Sequence, residues 1–173
     1  MARARPRAHA TVGLNLGLSA KVSWMGRGGM RWREVVPRMK TELETNTPPQ
    51  ILILHVGGND LGQVPQYNLL HRMQEDLQWI HTTCPHTTII FSSILPRLNW
   101  RNILHPKKME KVRQWINAQI ATYITTIHGH TITHNHTITP KNPHMFLPDG
   151  VHLSHQGNSL YIAAFTNAIA THL

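Results

Sequence analysis

The chain has 173 residues, room for one domain with its own core, and its 40% apolar share is that of a globular protein. No apolar stretch approaches the roughly 20 residues that cross a bilayer, and the opening MARARPRAHATVGLNLGLSA has no continuous apolar signal segment. Seventeen Lys and Arg against eight Asp and Glu give a net charge of +9, which attracts phosphate backbones and anionic surfaces but says nothing about fold.

The basic residues are spread over the N-terminal tail, residues 27–40 and residues 97–113, without interleaved aromatics or a nucleic-acid motif. They support weak, non-specific nucleic-acid contact and no specific readout. A single cysteine, Cys84, excludes an internal disulfide framework and fits a reducing, cytoplasmic setting.

In chain order, residues 1–20 show no hydrophobic period and are expected to be irregular, leaving residues 21–173 as the folded domain. Val22 to Met25 is a short candidate strand that runs into the turn Gly26-Arg27-Gly28-Gly29. Trp32, Val35, Val36, Met39 and Leu43 follow helical spacing, which predicts an amphipathic helix over 31–45 with Pro37 near its start. Thr47-Pro48-Pro49 ends it.

Ile51 to Val56 is an almost unbroken apolar run that stops at Gly57-Gly58-Asn59-Asp60. It reads as a strand buried on both faces, as in a parallel sheet. Leu70, Met73, Leu77 and Ile80 mark the face of a following helix that Cys84-Pro85 breaks. Residues 88–95 supply the next buried strand, and Leu95 to Arg101 a loop at its carboxyl end.

Pro106 suits a first helical turn, and Met109, Val112, Ile116, Ile120, Tyr123 and Ile127 keep helical spacing behind it. A last strand is predicted over 131–138, then a loop from Leu147 to Ser154, with Ser154 as N-cap of a helix whose apolar face includes Leu160, Tyr161, Ala164, Phe165, Ala168 and Ile169. Strands that alternate with helices predict a three-layer α/β/α fold around a mainly parallel sheet.

Fourteen histidines are unusual. In an extended segment His130, His134 and His136 share one face, yet no Cys or acid completes a ligand set, so an exposed Thr/His-rich strand is expected and neither a metal nor another cofactor. Asp149 and His152 are different. Three residues apart in a tight loop, they let the carboxylate accept the imidazole Nδ1–H, fix its tautomer and leave Nε2 as a base. The Asn59 amide and a backbone N–H at Gly29 suit an oxyanion that develops on an attacked ester carbonyl.

The blocks GGND at 57–60, DGVHLS at 149–154 and a glycine turn followed by a helix at 26–32 resemble, in order and separation, the SGNH hydrolases, also called GDSL-type esterases and lipases. WMGRGGMRW, VGGNDLG, LPRLNWR and LPDGVHLSHQGN look closer still to the SGNH-like domains of vertebrate transposon-associated open reading frames. The resemblance implies a small ester as substrate, Asn59 and Gly29 as oxyanion-hole donors, His152 as general base and Asp149 as its orienting acid.

It implies no nucleophile here, because the family's serine belongs to a GDS motif that this sequence does not contain. Ser19 lies in a loop and Ser23 faces out of its strand, so neither substitutes. The strand that carries the motif in the family lies in mid-sheet, beside the strand at 51–56. The sequence therefore predicts an SGNH domain without its first strand, truncated or decayed, marginal in fold and low in activity. A basic, non-catalytic binding module is the alternative.

Overall fold

The computed structural model describes residues 16–100, 103–134 and 136–173. Within them, helix α1 (Val35–Leu43) precedes strand β1 (Ile51–Leu54), α2 (Gln66–Thr83) leads to β2 (Thr88–Ser92), α3 (Pro106–Thr126) to β3 (His130–Ile132), and α4 (His155–His172) closes the chain. The three strands form one parallel sheet in the order β1-β2-β3. Parallel neighbours need long crossovers, and α2 and α3 are those crossovers.

Register and the period of two sort the side chains. Leu52 pairs with Ile89 and Leu54 with Phe91, and these four face a core that also holds Trp32, Met39, Met73, Leu77, Ile116 and Ile120. Ile51, Ile53, Ile90 and Ile132 point the other way, toward Ile162, Phe165 and Ile169 of α4. The result is the expected three layers. At about 1.5–3 kcal/mol per fully buried large apolar side chain, these two cores carry most of the gain on folding.

The helices begin and end as their sequences direct. A 3-10 turn at Trp32–Glu34 feeds α1, which places Pro37 in the first turn, where a missing N–H breaks no intrahelical bond. Pro106 opens α3. The Ser154 side chain accepts from the Gly157 N–H at 3.1 Å and caps α4.

The strands depart from expectation. Among the described residues Val22 to Met25 forms no strand of this sheet. It keeps an alternation, with Val22 and Trp24 half-buried and Lys21 and Ser23 exposed, and Trp24 packs among the apolar side chains between the sheet and α4.

The last strand covers His130–Ile132 instead of 131–138. The His134 carbonyl accepts from Thr137 N and Ile138 N at 3.1 and 2.9 Å, a turn that takes the chain off the sheet and buries Ile138 with Met145 and Phe146. Among the described residues β1 has a strand neighbour on one side only. The readings for residues 1–15 lie outside the described residues.

Candidate active site

The glycine turn is fixed from the helix side. Gly29 adopts a left-handed φ of +73°, and Met30 N donates back to Arg27 O at 3.3 Å. Two residues on, wholly buried Trp32 donates its backbone N–H to Asp60 Oδ2 at 2.8 Å and its indole N–H to Asp76 Oδ2 at 3.1 Å. Burial pushes the Asp60 carboxyl up, and the Trp32 N–H holds it back. The turn after Trp24 and the turn after β1 are thereby joined.

Asn59 sits on that join. Its Nδ2 donates to Met30 O at 3.1 Å, one residue from Gly29, and its Oδ1 accepts from Arg97 Nη2 at 3.1 Å. Those two partners leave the amide one orientation and, among the described residues, one N–H without an acceptor. Arg97 is itself placed by the loop after β2. There Asn117 of α3 brackets Ile94, accepting from its N–H at 2.9 Å and donating to its carbonyl at 3.0 Å, while buried Arg113 donates to the same carbonyl at 2.6 Å. The Arg97 guanidinium lies 5.3 Å over the buried Trp100 ring.

The same loop receives Asp149 and His152. Gly150 O accepts from Leu98 N at 2.8 Å and Asn99 N at 3.1 Å, and a Cβ on Gly150 would stand 3.0 Å from the Leu98 and Asn99 Cβ atoms. With a φ of +67° as well, the position has two reasons to be glycine. Asp149 Oδ1 accepts from the N–H groups of Val151 and His152 at 2.9 and 3.0 Å, and its Oδ2 from His152 Nδ1 at 2.5 Å. The His152 side-chain bond, then the backbone bonds, hold the Asp149 carboxyl well below the usual carboxylate range. The His152 side chain is 71% exposed, so its Nε2 side is open to solvent.

Asn59, the glycine turn and the Asp149–His152 loop are thus linked through one loop at one sheet edge. Sequence reasoning missed the linkers. Asp60 carried no role beyond the end of the GGND block, Asp76 none at all, and Arg97 and Trp100 only membership of the loop from Leu95 to Arg101; here Arg97 orients Asn59, with its guanidinium over the Trp100 ring. Arg101 lies outside the described residues.

Another group was not read as a group. Ser92, wholly buried at the end of β2, has His55 Nδ1 at 3.0 Å and His134 Nε2 at 2.9 Å, with Tyr161 and Phe165 packed on both imidazoles. Desolvation pushes buried His134 down to about 4. His55 keeps solvent contact and is pushed down too, by the surrounding protein and by His134 beside it.

His130 meanwhile stacks on His172 at 4.0 Å between ring centroids. His130 and His134 both turn toward α4 but have separate partners, His172 for the first and Ser92 for the second. Among the described residues no cluster of three His, Cys, Asp or Glu is spaced to hold a metal. No helix among them is long and apolar enough to cross a membrane.

Ser19 and Ser23 are exposed, and His152's side-chain partner among the described residues is Asp149.

The GDSL-like lipase/acylhydrolase family model matches residues 2–160. No curated protein matches the chain. Among solved structures, a Streptococcus pneumonia protein whose name refers to platelet activating factor superposes with a TM-score of 0.73 at 20% identity, over 94% of this chain and 79% of that one. A GDSL-like lipase from Bacteroides thetaiotaomicron gives 0.69 at 17% identity, over 84% and 73%. The esterase domain of the ZfL2-1 ORF1 protein from a zebrafish retrotransposon gives 0.50 at 23% identity, over 82% and 84%. At these identities the likeness is one of fold.

Proposed function

Since the chain belongs to the GDSL-like lipase/acylhydrolase family, we propose that it is an ester-hydrolase domain of the SGNH type, with His152 as base, Asp149 as its orienting acid, and Asn59 and Gly29 as oxyanion donors. The observation that carries this is the hydrogen bond from His152 Nδ1 to Asp149 Oδ2 in a loop docked on the loop that orients Asn59. With Nδ1 so engaged, Nε2 takes a proton from an attacking water. The water oxygen bonds to the ester carbonyl carbon, and the carbonyl oxygen gathers negative charge toward the second Asn59 N–H and the Gly29 N–H. Collapse breaks the bond to the alkoxide, which leaves with the proton from His152.

No GDS serine occurs in these 173 residues, so the step uses water in place of a covalent acyl-serine. Turnover is accordingly low, since base, acid and oxyanion hole keep only part of a serine hydrolase's acceleration. The small-ester substrate and the kinship with transposon-borne SGNH domains are part of this proposal.

p-Nitrophenyl acetate hydrolysis tests it. We expect a rate above background that His152→Ala lowers, and a large gain when a strand that ends in Gly-Asp-Ser is added at the N-terminus. Equal rates for the chain, for His152→Ala and for the extended chain would reject the hydrolase reading. In that case salt-dependent retention of RNA, from the +9 charge, would favour the basic binding module.

A further inference from the structure

The Asp149–His152 pair is not the only hydrogen-bonded imidazole at the carboxyl edge of the sheet. His55 follows β1 directly and is exposed, yet its Nδ1 lies 3.0 Å from the Oγ of a serine with no solvent exposure. That serine, Ser92, is in turn 2.9 Å from Nε2 of buried His134. Tyr161 stands edge-on to the His55 ring at 4.9 Å between centroids, and Phe165 at 6.4 Å. The titratable groups around His55 are therefore His134 from the stretch after β3 and Tyr161 from α4. No carboxylate faces it among these contacts.

A serine hydroxyl has one proton. When it donates to His134 Nε2, the short contact to His55 is satisfied by Nδ1–H donating to Oγ, which leaves Nε2 of exposed His55 unprotonated, with its lone pair. We propose that His55 is a second reactive imidazole of this protein, an acyl-accepting site for activated esters, with Ser92 and His134 as positioning residues that set its tautomer and relay its proton. It does not depend on the Asp149–His152 pair.

The chemistry balances through that chain. His55 Nε2 bonds to the carbonyl carbon, and the bond to the leaving oxygen breaks with its electron pair. The acylimidazolium passes its Nδ1 proton to Ser92 as Ser92 passes its own to His134 Nε2. Water then adds to the acyl carbon, the C–N bond breaks, the relay returns a proton to His55, and the water's other proton goes to solvent. Neither imidazole needs a carboxylate, and the direction of their shifts keeps both neutral and unprotonated at mildly acidic pH.

The test is acyl mapping on the full chain carrying His152→Ala, so that failure of the hydrolase reading and failure of this one are separate results. After a brief exposure to p-nitrophenyl acetate, peptide mass spectrometry should place acetyl on His55 ahead of the other histidines. The acetylation rate should change by less than about threefold between pH 7 and pH 5, where an ordinary histidine loses about 25-fold through protonation. Ser92→Ala should slow it by roughly tenfold or more, and Ser92→Thr, which keeps the hydroxyl, should restore it. Acetyl spread over surface histidines without preference for His55, or a His55 rate that falls with pH like the others, would overturn the proposal. Unchanged His55 acetylation in Ser92→Ala would overturn the relay.

Discussion

His152 and His55 stand at the same edge of one sheet and are held in opposite ways. His152 is exposed, and its Nδ1 meets the Asp149 carboxylate at 2.5 Å inside a loop four residues long. His55 meets the neutral Ser92 hydroxyl, and behind it lies a second imidazole that desolvation keeps uncharged. A carboxylate favours the imidazolium that forms when a base takes a proton. A neutral relay that ends in a buried imidazole makes a resting charge costly, so it carries a proton only while a reaction drives one through it. The difference teaches that hydrogen bonding alone does not define a catalytic histidine; the charge of the partner decides whether it stores a proton or only shares one.

The largest test of that contrast is pH. His134 has an ordinary value of 6.5 in the unfolded chain and about 4 in the fold. Between those values the unfolded chain binds more protons, so stability rises with pH. The full contribution is present above 6.5 and is lost as pH falls through 4. His134 alone accounts for about 3 kcal/mol over that window, with His55 adding in the same direction. Urea midpoints from pH 7 to pH 4 should fall accordingly, and His134→Asn should flatten the slope. A slope that His134→Asn leaves unchanged would place the acid sensitivity elsewhere.

The next effect belongs to the other histidine. Asp149→Asn keeps a side chain of the same shape but removes the charge, and its amide can present N–H where Nδ1–H must be accepted. Ester hydrolysis should fall roughly a hundredfold, while the urea midpoint moves little because the pair is exposed. An equal loss in Asp149→Asn and in His152→Ala marks the two as one unit. A full rate in Asp149→Asn would mean that the carboxylate does nothing for the base.

How much of this was legible follows the range of the interactions. The helices were, because Pro106, Ser154 and the 3.6-residue spacing act within a few positions of themselves. The Asp149–His152 pair was, for the same reason. The strands were harder: Val22 to Met25 alternates like a strand, and among the described residues that alternation packs Trp24 between the sheet and α4. His134 looked like one tooth of an exposed His-rich strand, and only its partner 42 positions away shows it to be core. Asp60 and Asp76 hold Trp32 from 28 and 44 positions away, and nothing local distinguishes them from solvated carboxylates.

Ser92→Ala measures the relay in stability rather than reactivity. It removes a hydroxyl that two imidazoles share, and it leaves the buried His134 Nε2 without that partner. A cost of about 2 kcal/mol is expected for the orphaned buried group, which for a domain of this size lowers the melting temperature by roughly 4–8 °C. A variant as stable as the parent would show that the two contacts to Ser92 contribute nothing net, and that Tyr161 and Phe165 hold the rings by packing alone.

The smallest expected effect concerns the loop that connects the two halves of the site. Arg97 donates to Asn59 Oδ1 while its guanidinium lies over Trp100, and the loop it belongs to accepts Gly150. Arg97→Ala leaves Met30 O as the remaining amide partner described here, so Asn59 keeps its place but loses the bond that fixes Oδ1 and Nδ2 against each other. The N–H proposed as an oxyanion donor is then aimed correctly only part of the time. Hydrolysis should drop roughly tenfold, less than in Asn59→Ala, which would remove the proposed oxyanion contact, worth about 3 kcal/mol. The melting temperature should stay within 2–4 °C, the shift of about 1 kcal/mol. Arg97→Lys separates position from charge: it restores a cation near Oδ1 without the planar group over Trp100, and a rate closer to the alanine variant than to the parent would show that the stacked geometry, and not the charge, holds Asn59 in register.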